Sequence, residues 1–267
     1  MTAAGPVCYR HPGRATRLSC SNCGRPICSD CSIDATVGQK CPECAQQTGR
    51  GKVINSSQLR RRSSALTPAV GLILGVTAAV SLIALSSGPV FDAGSLSSDQ
   101  VASGEWYRIF TAVLLHGSIF HLFFNMYALY LFGPQLETGV GTVPFGLLYV
   151  ASGLAGGAAF LLAAPGITAV GASGAVFGVF GAWLAESLAT RHTLRGQANL
   201  RQFGGLLAIN LMFGFLVPGI AWQAHLGGLA AGFVIAWVWT QRRRQVQAWN
   251  ATALMVAAIS AVISLVS

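Results

Sequence analysis

Beyond residue 65 the chain alternates long apolar runs with short polar or basic segments. The runs fall at roughly 66 to 86, 117 to 136, 143 to 164, 171 to 190, 203 to 220, 222 to 241 and 249 to 266. Each approaches the length of about 17 to 25 residues that a helix needs to cross the hydrocarbon core of a bilayer. The pattern predicts seven membrane helices, with the fifth and sixth separated only by a tight turn near Pro218-Gly219. Before residue 65 no such run exists, so the chain divides into a polar N-terminal part and an all-α polytopic membrane part.

Composition agrees with this division. Of the 267 residues, 53% are hydrophobic and 9% charged, where soluble domains carry about 25% charged residues. The formal net charge of +9 is explained by topology, because the basic residues after Arg50 lie almost entirely between apolar runs. With Arg60, Arg61 and Arg62 in the cytosol, an alternating path also puts Arg191, Arg195, Arg201, Arg242, Arg243 and Arg244 inside, and only Arg108 outside. The positive-inside rule is then met at each basic loop, with the N-terminus cytoplasmic and the C-terminus outside. A nucleic-acid partner is not expected. The start, Met1-Thr2-Ala3-Ala4-Gly5-Pro6, lacks a basic-then-apolar export signal.

All seven cysteines lie in the first 44 residues. They form Cys8-x2-His11, Cys20-x2-Cys23, Cys28-x2-Cys31 and Cys41-x2-Cys44, four ligand pairs whose gap lets a tight turn aim two side chains at one ion. Two closed tetrahedral zinc sites account for every cysteine, whereas disulfides would leave one unpaired. Closed sites have no open coordination position, so these zincs are structural. The stretch resembles the small cross-braced B-box-like zinc fingers, which implies that the first and third pairs share one ion and the second and fourth the other. Spacing alone also permits sequential pairing. The expected organisation is a zinc-finger domain over 1–45, a flexible basic linker over 46–65, a six-helix core over 66–241 and an added helix over 249–266. Arg10, Arg14, Arg17 and Arg25 make the finger basic, which suits a solvated face or anionic lipid headgroups.

Candidate chemistry centres on Gly171-Ala172-Ser173-Gly174, which opens the fourth run. A serine there lies beside the unpaired N–H groups of a helix start, where developing negative charge is favoured. The predicted topology makes spans two, four and six run inward from the outer face. His121, Ser173 and His225 then sit at a common depth, on the order of 5 to 10 Å below the surface. Asn125 follows His121 one turn on, on the same face. Polar groups inside a membrane are costly unless partnered. They either link helices by hydrogen bonds or form a serine hydrolase site, with Ser173 as nucleophile, His225 as general base and acid, and His121 with Asn125 as oxyanion donors. Their convergence favours the second reading. Gly171, Gly174, Gly178 and Gly181, facing Gly228 and Gly232, give smooth helix faces that let backbones approach closely.

These motifs, together with His116-x4-His121-x3-Asn125, Gly133-x3-Glu137-x3-Gly141 and Glu105-Trp106-Tyr107-Arg108, resemble the rhomboid family of intramembrane serine proteases over about residues 66 to 241. The last span resembles the family's six-plus-one arrangement. The resemblance implies a Ser173/His225 dyad without an acidic third member, and an oxyanion held by His121, Asn125 and the Ser173 N–H. It makes His116 a structural or water-organising residue, and Arg108 and Glu137 holders of loops and helix ends. Two positions depart from the pattern. Tyr107 stands where the family has Trp, leaving the packing of that loop open, and Phe177 stands where some members have Tyr, so it can stack on His225 without hydrogen-bonding to it.

The implied activity is endopeptidase cleavage of single-span membrane proteins near their outer end, in a bacterial plasma membrane, with no catalytic metal. Rival readings are a non-proteolytic relative that binds transmembrane clients and, with less support, a transporter, which would more often show broken spans and internal repeats. The zinc finger is expected to recruit a cytosolic partner, to dock on the membrane part, or to stabilise the N-terminus.

Overall fold

The computed structural model describes residues 5–35, 38–47, 66–242 and 245–266; nearly all of the expected linker lies outside them. The described residues form two compact units, one on each side of that stretch.

In the first unit, single bridges join Val7 to Ala15 and Ser19 to Pro26. Strand β1 (Ile33–Asp34) pairs antiparallel with β2 (Gln39–Lys40), Ile33 opposite Lys40, and helix α1 (Pro42–Gln47) follows. The buried centre consists of Cys8, Cys20, Cys28, Cys31, Cys41, Cys44 and the aliphatic Ile27, with Tyr9 against them. A domain this small buries too little apolar surface to hold itself together without a staple.

The second unit is helical: α2 (Pro68–Ser86), α3 (Gly88–Gly94), α4 (Ser98–Ala102), α5 (Arg108–Thr111), α6 (Ile119–Val140), α7 (Thr142–Ala163), α8 (Ser173–Ala189), α9 (Leu194–Leu216), α10 (Trp222–Gln241) and α11 (Val246–Val266). By length and hydropathy α2, α7 and α11 each suffice to cross a membrane. The segment Arg108–Leu114 and α6, bent by 90°, make a fourth candidate, and α8 is a shorter apolar helix. Among the described residues three helices, or four with the bent pair, are long and apolar enough to span, and the chain is a multi-pass integral membrane protein.

Several boundaries differ from expectation. α9 covers Leu194–Leu216 where 203 to 220 was expected, α6 runs on to Val140 past the expected 136, and α11 begins at Val246 instead of 249. Thr193 caps the earlier start by accepting the Gly196 N–H at 3.0 Å. The first turns of α9 carry Arg195, Gln197, Asn199 and Arg201, so a hydropathy reading marks the apolar portion and not the whole helix.

α8 is the central element, packed against α6, α7, α9 and α10. Its residues from Gly174 through Ala182 are all buried, as expected of a helix apolar on every side. The seam with α10 is backbone against backbone. A Cβ on Gly228 would fall 1.9 Å from the Gly174 carbonyl oxygen, and one on Gly232 would fall 2.0 Å from that of Gly178. Glycine is the side chain that such an approach admits.

Glu137 fastens the opposite end. Its buried carboxylate accepts the N–H groups of Ala69 and Val70 at 2.9 Å each, the Thr142 hydroxyl at 2.8 Å and the Thr67 hydroxyl. An anion thus satisfies the open N–H groups at the start of α2. Gly141, at φ 95°, turns the chain from α6 into α7, a conformation glycine adopts without steric cost.

Candidate active site and metal clusters

Ser173 is the first residue of α8 and is half-buried. The turn before it is tied to the segment ahead of α6: the Gly171 N–H donates to the Ala112 carbonyl at 2.9 Å, and the Ala172 N–H donates to His116 Nε2 at 3.4 Å. Gly171 has φ 135°, and a Cβ there would lie 2.9 Å from His121 Nε2 and 3.8 Å from Ser173 Oγ. The His121 ring therefore packs against the bare Gly171, beside the serine hydroxyl, an approach that any side chain at 171 would block. As the first residue of the helix, Ser173 has an N–H with no intrahelical acceptor.

The structure brings His121 and Asn125 together, the Asn125 amide donating to the His121 carbonyl at 3.0 Å. Asn125 is buried, and His121 is half-buried with its ring edge-on to that of His116, centroids 4.8 Å apart. α6 itself is capped by Ser118, whose hydroxyl oxygen accepts the His121 N–H at 3.1 Å. His225 stands near the start of α10, buried and stacked on Phe177 of α8. Its Nδ1 is buried with no hydrogen-bond partner among the described residues, and it faces Gly214 of α9, where a Cβ would lie 3.4 Å away. No hydrogen bond joins Ser173 Oγ to His225 among the described residues. Such contacts are often long before substrate binds. Beside Ser173 is a cavity of about 40 Å³, lined also by Val113, Gly156, Gly171 and Ala224, with room for roughly three waters.

Arg108 is buried, and it closes the loop between α2 and α6. Its guanidinium donates to the carbonyls of Asp92 at 2.5 Å and Ser95 at 2.9 Å, and pairs with Glu105 at 2.6 Å. The loop left open by Tyr107 is now defined: the Tyr107 hydroxyl donates to Glu105 at 2.8 Å, while Trp106 is exposed. The Tyr107 hydroxyl and the Arg108 guanidinium hold the Glu105 carboxyl below its ordinary range.

Sequence reasoning passed over Ser81, which contacts His116 from α2, and Thr67 and Thr142, which complete the Glu137 cluster. A hydroxyl within an apolar run, a feature shared with Thr77, was the available signal for Ser81.

In the N-terminal unit the thiols are free and gather into two groups. Cys8, His11, Cys28 and Cys31 form one, and Cys20, Cys23, Cys41 and Cys44 the other, with ligand atoms in each within 4.8 Å of one another. This is a cross-braced grouping, and each set has the donor number and softness of a tetrahedral metal site. Both groups are able to hold a metal ion. Backbone donation at Cys41 and Cys23 brings the Cys20 thiol down to about 6, while burial pushes that of Cys41 in the same group up to about 12.

Comparison with known proteins identifies the family. The Rhomboid domain matches residues 103–242, a stretch that contains Arg108, His116, His121, Asn125, Glu137, Ser173 and His225. The Bacillus subtilis protein YdcA is 38% identical over 146 residues, 54% of this chain and 73% of that protein. Rhomboid protease GluP of the same organism is 40% identical over 147 residues, 54% of this chain but 28% of its own length. RHOMBOID-like protein 6, mitochondrial, of Arabidopsis thaliana is 37% identical over 155 residues, 57% of this chain and 50% of that protein. The chain belongs to the rhomboid family of intramembrane serine proteases.

Proposed function

We propose that Ser173 and His225 are the catalytic dyad of an intramembrane serine endopeptidase, with His121, Asn125 and the Ser173 N–H as oxyanion donors. The observation that carries this reading is that the His121 ring and Ser173 Oγ, at a helix start, both adjoin the bare Gly171. His225 takes the Ser173 hydroxyl proton as Oγ bonds to the scissile carbonyl carbon. The carbonyl oxygen becomes an anion facing the donors. The C–N bond then breaks as His225 passes its proton to the leaving amine. A water molecule attacks the resulting ester, giving its proton to His225, and Ser173 recovers its own. Electrostatic stabilisation of this kind is worth about 10²–10³ in rate for a single donor.

Substrates of this reading are single-span membrane proteins. A helix hides its carbonyls in backbone hydrogen bonds, so the scissile stretch has to unwind, which favours small or helix-breaking residues near its outer end. Arginine placement supports a cytoplasmic N-terminus, an outer C-terminus and a site near the outer face of a bacterial plasma membrane. Residues 1–45 serve as a B-box-like finger holding two structural zinc ions, which supply folding energy to that unit. Residues 66–241 form the protease core, and 249–266 the added helix.

Labelling with a fluorophosphonate serine probe tests the dyad. The native protein takes the label, Ser173→Ala takes none and His225→Ala takes much less. Equal labelling of Ser173→Ala and the native protein would refute the assignment.

A further inference from the structure

Four groups from three parts of the membrane unit form one hydrogen-bonded chain that ends at the turn carrying Ser173. Ser81 of α2 is fully buried, and its hydroxyl donates to the Leu114 carbonyl at 2.7 Å. The same oxygen lies 2.8 Å from His116 Nδ1. His116 is also fully buried, and its Nε2 lies 3.4 Å from the Ala172 nitrogen.

We propose that Ser81 is a positioning residue for the nucleophile, fixing His116 in the neutral Nδ1–H form so that Nε2 accepts the Ala172 N–H. A hydroxyl has one proton, and the Leu114 carbonyl takes it. Nδ1 must then donate to Ser81 Oγ. A neutral imidazole with its proton on Nδ1 presents a bare lone pair at Nε2, which is what an incoming N–H requires. The other tautomer turns an Nε2–H against the Ala172 N–H, donor to donor. An imidazolium does the same, and neither ring nitrogen has water access to relieve it.

Ala172 immediately precedes α8, and the amide after it belongs to Ser173. With the Gly171 and Ala172 amides both tied to residues 112 to 116, the turn is held from two successive points, and the next amide is the one the proposed mechanism needs for the oxyanion. His116 also lies edge-on to His121, so its orientation bears on both donors. The inference rests on the serine-protease reading of this site.

Two measurements test it. In liposomes, Ser81→Ala is expected to lower kcat roughly tenfold, the scale of one orphaned buried donor, with KM unchanged, and Ser81→Thr, which keeps the hydroxyl, to restore most of the loss. Nitrogen-15 spectra of histidine-labelled protein, taken in the Ser173→Ala background and assigned with His116→Gln, are expected to show His116 protonated at Nδ1, with that form depleted in Ser81→Ala. A His116 protonated at Nε2 in the otherwise native chain overturns the proposal even if Ser81→Ala does not fold. So does a Ser81→Ala protein that keeps both kcat and the tautomer. Failure of the underlying reading shows separately, as cleavage by Ser173→Ala equal to that by the native protein.

Discussion

The ring of Phe177 lies flat against that of His225, with centroids 4.2 Å apart and planes 10° from parallel. Because His225 Nδ1 meets no partner among the described residues, this stack is the main contact that orients the imidazole. An aromatic pair is worth about 0.5–1.5 kcal/mol beyond its area, or roughly two- to tenfold in rate. Phe177→Ala is expected to lower kcat by about that factor or more with KM little changed, and Phe177→Tyr to keep activity. Steady-state kinetics on a reporter substrate check it; a fully active Phe177→Ala would mean that the stack does not orient His225.

The glycine seam makes a harsher demand. A Cβ on Gly232 would lie 2.0 Å from the Gly178 carbonyl oxygen, closer than any contact allows, and the opposing atom is backbone. Gly232→Ala is expected to destabilise the membrane unit by about 1–3 kcal/mol or more and to abolish cleavage by separating α8 from α10. Gly139, with nothing near its Cβ position, serves as the control, and Gly139→Ala should behave as native in detergent melts.

Glu137 accepts four hydrogen bonds, two of them from the first turn of α2. Glu137→Ala leaves those donors without their anion, at a cost of about 3 kcal/mol. The expected result is a lowered unfolding midpoint in detergent, while the protein that remains folded still takes the fluorophosphonate label. An unchanged midpoint would show that the cluster adds no net stability.

Metal removal bears on the N-terminal unit. A strong chelator is expected to release two zinc ions per chain and to unfold residues 5–47, read as proteolytic nicking within that unit. Cys20→Ser should retain the ion of the Cys8, His11, Cys28 and Cys31 group and lose the other. A metal content of zero in protein purified under reducing, chelator-free conditions would contradict this reading.

The loop between α2 and α6 carries an acid dependence. The folded pKa of Glu105 lies below its ordinary 4.5, through the Tyr107 hydroxyl and then Arg108. Its contribution to stability is therefore present above 4.5 and is lost as pH falls through the lower folded value. Thermal melts should drop over that acid window in the native protein and drop less in Glu105→Gln. Identical pH profiles would exclude the contribution.

Much of this arrangement was readable in the chain because bilayer spans demand long apolar runs. The glycines at 174, 178, 228 and 232 were readable for a related reason, since small residues a turn apart have few other uses in adjoining helices. The start of α9 was missed because hydropathy stops at Arg201 while the backbone, capped by Thr193, is helical from Leu194. α3, α4 and α5 escaped notice because they are short and follow hydrogen bonds to Arg108 and neighbouring carbonyls, which leave no periodic trace. Ser81 was hidden for the same kind of reason: its partners, Leu114 and His116, lie 33 and 35 residues away. Local patterns therefore drew attention to Ser173, His121, His225 and the Phe177 stack, but not to the contacts of His116 with Ser81 and Ala172.

Cleavage of a panel of single-span reporter proteins in liposomes tests the central claim most directly, comparing the native protein with Ser173→Ala and His225→Ala. Product that forms only with the native protein, cut near the outer end of the reporter's span, is the expected result. Reporters left intact by the native protein, or cut equally well by Ser173→Ala, would contradict it.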